Sequence, residues 1–260
     1  MQSGAKTNEL QLIAVAGIPL IEPGTDLVSL ICDLTENQGP SLRDGDVVVV
    51  AQKIVSKAEE RYVDLATVEP SERALALSKE VQKDPRLVEV ILRESRRVLR
   101  HKPNVLIVEH RLGFVLANAG VDQSNVDPQC GAKPVLLLPE DPDRSARLLR
   151  EGLQARLGKN IATIINDSFG RAWRLGTVGV ALGAAGLPAL RDLRGQPDLY
   201  ERPLQVTETG FADEIAAAAS LLMGQADEAT PIVVVRGLKW PAKASTAAQL
   251  LRDPKDDLFR

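Results

Sequence analysis

The sequence predicts a mixed α/β fold, and three observations carry that expectation. Short, mostly β-branched and uncharged runs at residues 47–51, 161–165 and 232–235 read as strands covered on both faces. Segments with apolar residues at helical spacing lie between them, as in Leu27, Leu30, Ile31 and Leu34. Each apolar run breaks off into polar residues, and α/β sheets commonly bind ligands at the carboxyl ends of their strands.

Composition narrows the class. A chain of 260 residues with 44% apolar content supports a sizeable core. Net charge is −3 with 26% charged residues of both signs, which leaves no global basic field to hold nucleic acid or an anionic membrane. Cys32 and Cys130 are too few for a disulfide framework or a thiolate metal site, so a reducing cytoplasm is the expected location. The first nine residues have no long apolar stretch behind them, and the run at 10–21 is cut by Gly17 and Pro19; neither a signal peptide nor a membrane span is expected. His101 and His110 are the only histidines, which excludes a histidine-rich zinc site and limits any histidine-centred triad to these two. Carboxylates and lysines are left to carry the chemistry.

Residues 10–16 read as the first strand, entering a loop at 17–24 that two prolines and two glycines keep irregular. Thr25 or Asp26 is placed to cap a helix reaching about residue 35. A turn at Asp44, Gly45 and Asp46 precedes the strand at 47–51. Lys53 and Lys57 follow it directly and are candidates to meet a triphosphate, the plainer alternative being solvated lysines. Ser71 opens a helix to about residue 83, and Pro85 starts another that is expected to continue to about Arg100. On that second helix Arg93, Arg96, Arg97, Arg100, His101 and Lys102 mix with Glu89 and Glu94 and lack interleaved aromatics. A solvated face explains them better than nucleic-acid binding.

Residues 105–108 and 113–117 read as a hairpin that empties into Asn118, Gly120, Asp122 and Asn125. A helix from about 144 to 157 ends at Gly158. The run at 161–165 is expected to stop there and deliver Asn166, Asp167 and Ser168 at its tip, hard oxygens of the kind Mg²⁺ or Mn²⁺ takes. Gly170 permits a bend, and Arg171 and Arg174 offer forked donors for phosphate or carboxylate. Brought together by the fold, Asp122 and Asp167 would make the pair of carboxylates that a nucleotide-bound cation needs, with Asn125 and Ser168 as neutral donors. The glycines at 176–186 match neither a P-loop nor a dinucleotide fingerprint and are assigned to close backbone packing. An alanine-rich helix at about 214–223 suits tight packing on a sheet or a second subunit. The last strand at 232–235 presents Arg236 at its tip, and residues 245–260 are expected to form a charged helix or to be partly disordered. Residues 1–9 are a flexible start, and no boundary divides 10–244.

Six segments then resemble, in order, the coenzyme F420-0:L-glutamate ligases, also called gamma-glutamyl ligases. They are residues 17–21, 44–46 with 51–59, 118–126, 138–139 with 141–143, 167–171, and 212–216 with 222–224, together covering about residues 10–240. The resemblance implies the mixed α/β fold of that family, assembled as an intertwined homodimer. It implies a GTP-dependent ligase that adds L-glutamate to the lactyl-phospho side chain of the deazaflavin precursor F420-0, with Mg²⁺ or Mn²⁺ and helped by K⁺; an acyl phosphate is the simplest activated intermediate. Carried over by position, Ile18, Pro19, Leu20, Ile21, Gln52, Lys53, Lys57 and Asn125 hold the nucleotide, and Met223, Gly224 and Gln225 close on it. Asp122, Asp167, Ser168 and Gln225 bind metal, and Asp122, Asp167 and Lys57 form the catalytic set. Arg171 and Arg174 are candidates to orient a carboxylate or the phosphodiester. This chain differs from the common pattern in Ala172, where proline is frequent, and in Gln225, where glutamate also occurs. In some bacteria a nitroreductase-like domain follows this one, whereas here the chain stops at Arg260. A metal-dependent phosphohydrolase and a GTP-binding regulatory module are the rival classes for the same residues.

Overall fold

The computed structural model describes residues 9–126 and 130–258. In chain order the elements are β1 (Gln11–Ala14), α1 (Leu27–Asn37), β2 (Val47–Ala51), α2 (Gln52–Ala58), β3 (Tyr62–Asp64), α3 (Glu72–Val81), α4 (Pro85–Arg93), β4 (Ser95–Lys102), β5 (Val105–His110) and β6 (Val115–Ala117). There follow β7 (Pro134–Leu136), α5 (Pro142–Leu157), β8 (Ala162–Arg171), β9 (Arg174–Ala185), β10 (Arg191–Asp192), β11 (Glu208–Thr209), α6 (Phe211–Met223) and β12 (Ile232–Arg236). The flexible start expected at residues 1–9 lies, apart from Glu9, outside the described residues.

The main sheet has the order β1-β12-β2-β8-β9, with β2 and β8 parallel and the other neighbours antiparallel. Alternation along the strands explains its two covered faces. Val48, Val50, Ile165 and Val234 meet Ile31 and Cys32 of α1 and Leu149 and Leu153 of α5. Val47, Val49, Ile164 and Val233 meet Phe211, Ile215 and Ala216 of α6 on the other side. A smaller lobe packs α3 and α4 against the β4-β5-β6 meander through Val81, Val88, Ile91, Leu106 and Val108. The β3-β7 pair packs on the smaller lobe, Val63, Val135 and Leu137 meeting Leu87 and Val90 of α4.

The helix caps follow the sequence signals. Asp26, not Thr25, caps α1 by accepting from the Val28 and Ser29 amides, and Asp141 caps α5. Gly158 ends α5 in the left-handed region at φ 64°. The glycines of β9 do serve close packing: a Cβ on Gly179 would strike the Ala216 carbonyl of α6, and one on Gly183 would strike the Pro142 carbonyl of α5.

Four expectations are corrected. The helix from Pro85 stops at Arg93, and the residues beyond it form β4, paired with β5. Helical spacing continues by coincidence through Ser95 and Val98, but the Glu109 carboxylate of β5 draws Arg97 and Arg96 into pairs at 2.8 and 3.5 Å. Most of the basic cluster therefore lies on a strand, where Arg96 and Arg97 meet Glu109 while Arg100 donates to the Leu99 carbonyl. Second, β8 does not stop at residue 165; it runs on to Arg171, so Asn166, Asp167 and Ser168 sit inside a strand and the bend comes at 172–173. Third, β12 runs opposite to β2, so Arg236 lies at the far end of the sheet, where it clamps the buried Asp46 carboxylate at 2.6 and 2.8 Å. Last, the tail does not begin as a charged helix: Ala247–Leu250 is a single 3₁₀ turn whose first amides bond the Asp143 carboxylate, with Ala247 in the core.

Candidate active site

β2 ends at Ala51, beside Asn166 of the parallel strand β8, which continues beyond it, and a cleft of about 630 Å³ opens there. Most of its walls come from five places in the chain. The loop after β1 contributes Ile18, Pro19, Leu20 and Ile21, and α2 contributes Gln52, Lys53 and Lys57. The smaller lobe sends in Asp122, Ser124 and Asn125, β8 supplies Asn166, Asp167 and Ser168, and the segment after α6 runs across from Met223 to Pro231.

Local structure aims each group. After β6 the chain takes left-handed conformations at Asn118, Ala119 and Gly120, with φ of 53°, 54° and 68°. Asparagine and glycine accept this region readily; the buried Ala119 does so at some strain. The segment then locks to β7, the Asp122 amide donating to the Leu136 carbonyl at 3.0 Å and the Leu136 amide returning the bond at 2.8 Å. In β8 the pairing with β9 slips between Ile165 and Asn166, a bulge that re-aims the three residues after it.

The Asp122 carboxylate pairs with the Lys53 ammonium at 2.7 Å and accepts from the Ser124 amide at 2.8 Å and the Ser124 hydroxyl at 3.0 Å. Burial pushes this carboxyl up, but Lys53 and Ser124 outweigh it, and its pKa stays below the ordinary value. Asp167 has less support. Burial raises it, one bond from the Ser168 amide opposes that, and the Asp122 charge raises it further, to about 6. The two acids thus feel each other across the cleft. Gln225 donates to the Ser168 hydroxyl at 2.8 Å, and Lys57, 8% exposed, reaches the wall from the last turn of α2.

All of the residues predicted for nucleotide and metal line this one cleft. Arg171 and Arg174 do not; they stand exposed at the β8–β9 turn, Arg171 donating to the Gly176 carbonyl. Neither histidine lines it: His110 is fully buried beside Glu94 in the smaller lobe. Sequence reasoning passed over Ser124, which joins Lys53 to Asp122, though an Asp-x-Ser turn was a signal for it. Ser220 and Thr177 also line the cleft, and nothing local in the sequence singles them out.

Two acids, two lysines and neutral oxygens gather where β2 ends beside the continuing β8 of a mixed α/β protein. The comparison with known proteins makes the class specific. The profile of the F420-0:Gamma-glutamyl ligase family matches residues 17–237, and the chain belongs to that family of ligases. Among its relatives, the coenzyme F420:L-glutamate ligase of Methanothermobacter thermautotrophicus is 46% identical over 253 residues, covering 96% of this chain and 99% of the relative. That of Methanopyrus kandleri is 46% identical over 261 residues with the same coverage, and that of Methanocaldococcus jannaschii is 40% identical over 219 residues, covering 84% and 86%. Among the described residues no helix is long and apolar enough to cross a membrane.

Proposed function

We propose that this chain is a GTP-dependent coenzyme F420-0:L-glutamate ligase. The observation that carries the reading is the meeting of Asp122 from the smaller lobe and Asp167 from the main sheet in one cleft with Lys53 and Lys57. An amide forms from a carboxylate in water only through an activated acyl group. In this scheme the F420-0 carboxylate takes the γ-phosphoryl of GTP to give an acyl phosphate and GDP. The amine of L-glutamate then attacks the acyl carbon, the C–N bond forms, and inorganic phosphate leaves with the electron pair of the broken C–O bond.

The donor set fits Mg²⁺ or Mn²⁺. Asp122 and Asp167 offer two carboxylates in one cleft, the number Mg²⁺ takes where phosphate oxygens and water complete its shell. Asp122, Asp167, Ser168 and Gln225 would hold the ions, which would supply charge neutralisation at the phosphates. Lys53 and Lys57 bind and orient the phosphate chain, and Met223, Gly224 and Gln225 begin the strap that covers it. Stimulation by K⁺ is part of the proposal on family likeness alone. A homodimer is also proposed; Trp173, Leu175, Leu199 and Tyr200 are exposed apolar groups suited to a second subunit.

The test is incubation with GTP, Mn²⁺, L-glutamate and F420-0, read as mass gain of the deazaflavin. Phosphate release without any mass gain would make the protein a phosphohydrolase. GTP binding without turnover would make it a regulatory module.

A further inference from the structure

Strand order lays out the cleft from side to side. The loop with Ile18–Ile21 stands at the β1 side; next come Pro231 at the start of β12, Gln52 and Lys53 at the tip of β2, Asn166 and Asp167 on β8, and Thr177 on β9. Ile18–Ile21 stand on the β1 side and the acids near the middle, and Met223 reaches across to Asn166. The β9 side, walled by Asn166, Thr177 and Ser220, has no assigned ligand.

Asn166 is 4% exposed, and its amide orientation is determined by its neighbours. Ser220 donates its proton to the Ala216 carbonyl at 3.0 Å and so turns lone pairs toward Asn166, while the Met223 sulfur has only lone pairs to offer. The Nδ2 group must therefore face both, which it does at 3.0 and 3.2 Å. Oδ1 is left buried with no hydrogen-bond partner, and among the described residues it is the one such side-chain atom that belongs to a residue lining the cleft. A desolvated, unpaired carbonyl oxygen is costly, and its natural complement is an N–H donor brought by a ligand. Phosphates, carboxylates and the phosphodiester bring only acceptors. Guanine and the deazaflavin also carry N–H groups, but sugar or ribityl carbons and phosphates separate each of them from the reacting acyl phosphate. The participant that must present N–H bonds next to the acyl phosphate is the attacking amine.

Resting on the ligase reading, we propose that Asn166 Oδ1 accepts an N–H of the L-glutamate amine, so that Asn166 selects an amine nucleophile and turns its lone pair toward the acyl carbon. Asn166 neither gives nor takes a proton; the proton lost from nitrogen passes to solvent.

Steady-state kinetics on the full chain test this with Asn166→Leu, which keeps the branched shape, is bulkier and removes Oδ1 together with the Nδ2 bonds to Ser220 and Met223, and with Asn166→Ala if the first is insoluble. The expected result is a glutamate KM raised about tenfold or more while the GTP KM stays within about twofold, as for loss of one hydrogen bond to a charged or polarised donor. Glutarate, which has both carboxylates and no amine, should inhibit wild type and variant equally. A glutarate inhibition constant that rises in step with the glutamate KM would show general damage to the pocket and overturn the assignment. So would an unchanged glutamate KM, or an effect confined to K⁺ dependence, which would make the oxygen a cation ligand. A wild type that never extends F420-0 sinks the ligase reading and this assignment together; an active wild type with an indifferent variant sinks this assignment alone.

Discussion

At the scale of single residues, Asp167 sets function against stability. Its carboxyl is raised from 3.8 to about 6 because burial and the Asp122 charge disfavour the ionised form. Between those values the folded protein keeps a proton that the unfolded chain has lost, so stability falls as pH rises through this window. Above it the metal-free protein carries a penalty on the order of 3 kcal/mol, less whatever solvent at the cleft mouth screens. Metal-free Asp167→Asn should therefore melt higher than wild type at pH 7.5, with the difference vanishing below about pH 4, and should have lost glutamyl transfer. Equal melting curves at both pH values, or turnover near normal, would remove Asp167 from its assigned role. Lys57→Ala should raise the GTP dissociation constant about tenfold or more, as for a charge-assisted bond to phosphate; titration calorimetry that finds no change would take Lys57 off the phosphates. Both residues were legible because an ionisable group directly after an apolar run has few structural reasons to be there. Ser220 was not, since its meaning depends on α6 lying against β8, a contact that no local pattern encodes.

At the scale of elements, strand periodicity and glycine placement said more than helical spacing did. The three apolar runs became β2, β8 and β12 because burial on both faces imposes one composition wherever it occurs. The end of α4 was misread because Ser95 and Val98 fit a helical face as well as a strand; the pairing of Arg97 with Glu109, twelve residues on, decided between them. The length of β8 was misread for a related reason: polar residues usually mark a strand's end, yet here the antiparallel partner β9 carries the strand beyond its core. The glycines of β9 offer a quantitative check. In Gly179→Ala the new methyl would meet the Ala216 carbonyl and the Ser220 hydroxyl, so α6 must shift, at a cost of about 1–3 kcal/mol. Gly170→Ala, with nothing within 4 Å of the new carbon, should leave stability unchanged. Urea denaturation of the pair measures the difference, and equal midpoints would mean that α6 does not rest on this strand.

At the scale of the whole molecule, the cleft depends on two lobes arriving together, a meeting that the two acidic segments raise in the sequence but that no local pattern fixes. Asp122 and Asp167 are far apart in the chain; the bridge between Asp122 and Leu136, and the Lys53 ammonium reaching from α2, are what hold the first against the second. The same reasoning bears on assembly. Trp173, 87% exposed, and Leu175, 98% exposed, crown the β8–β9 turn, and Leu199, Tyr200 and Val206 stand exposed between β10 and β11. Large apolar groups at a projecting turn gain little from water, and a stable dimer buries on the order of 800 Å² on each partner. Light scattering should therefore find about twice 28.1 kDa at micromolar concentration, and replacing both Trp173 and Leu175 with Asp should shift the mass toward the monomer while the circular dichroism spectrum stays the same. A wild-type mass of one chain would end the dimer reading. Because Arg171 and Arg174 flank that same turn and lie outside their own cleft, loss of activity on dissociation would argue that they act on a partner's substrate, and retained activity would reduce the dimer to a scaffold.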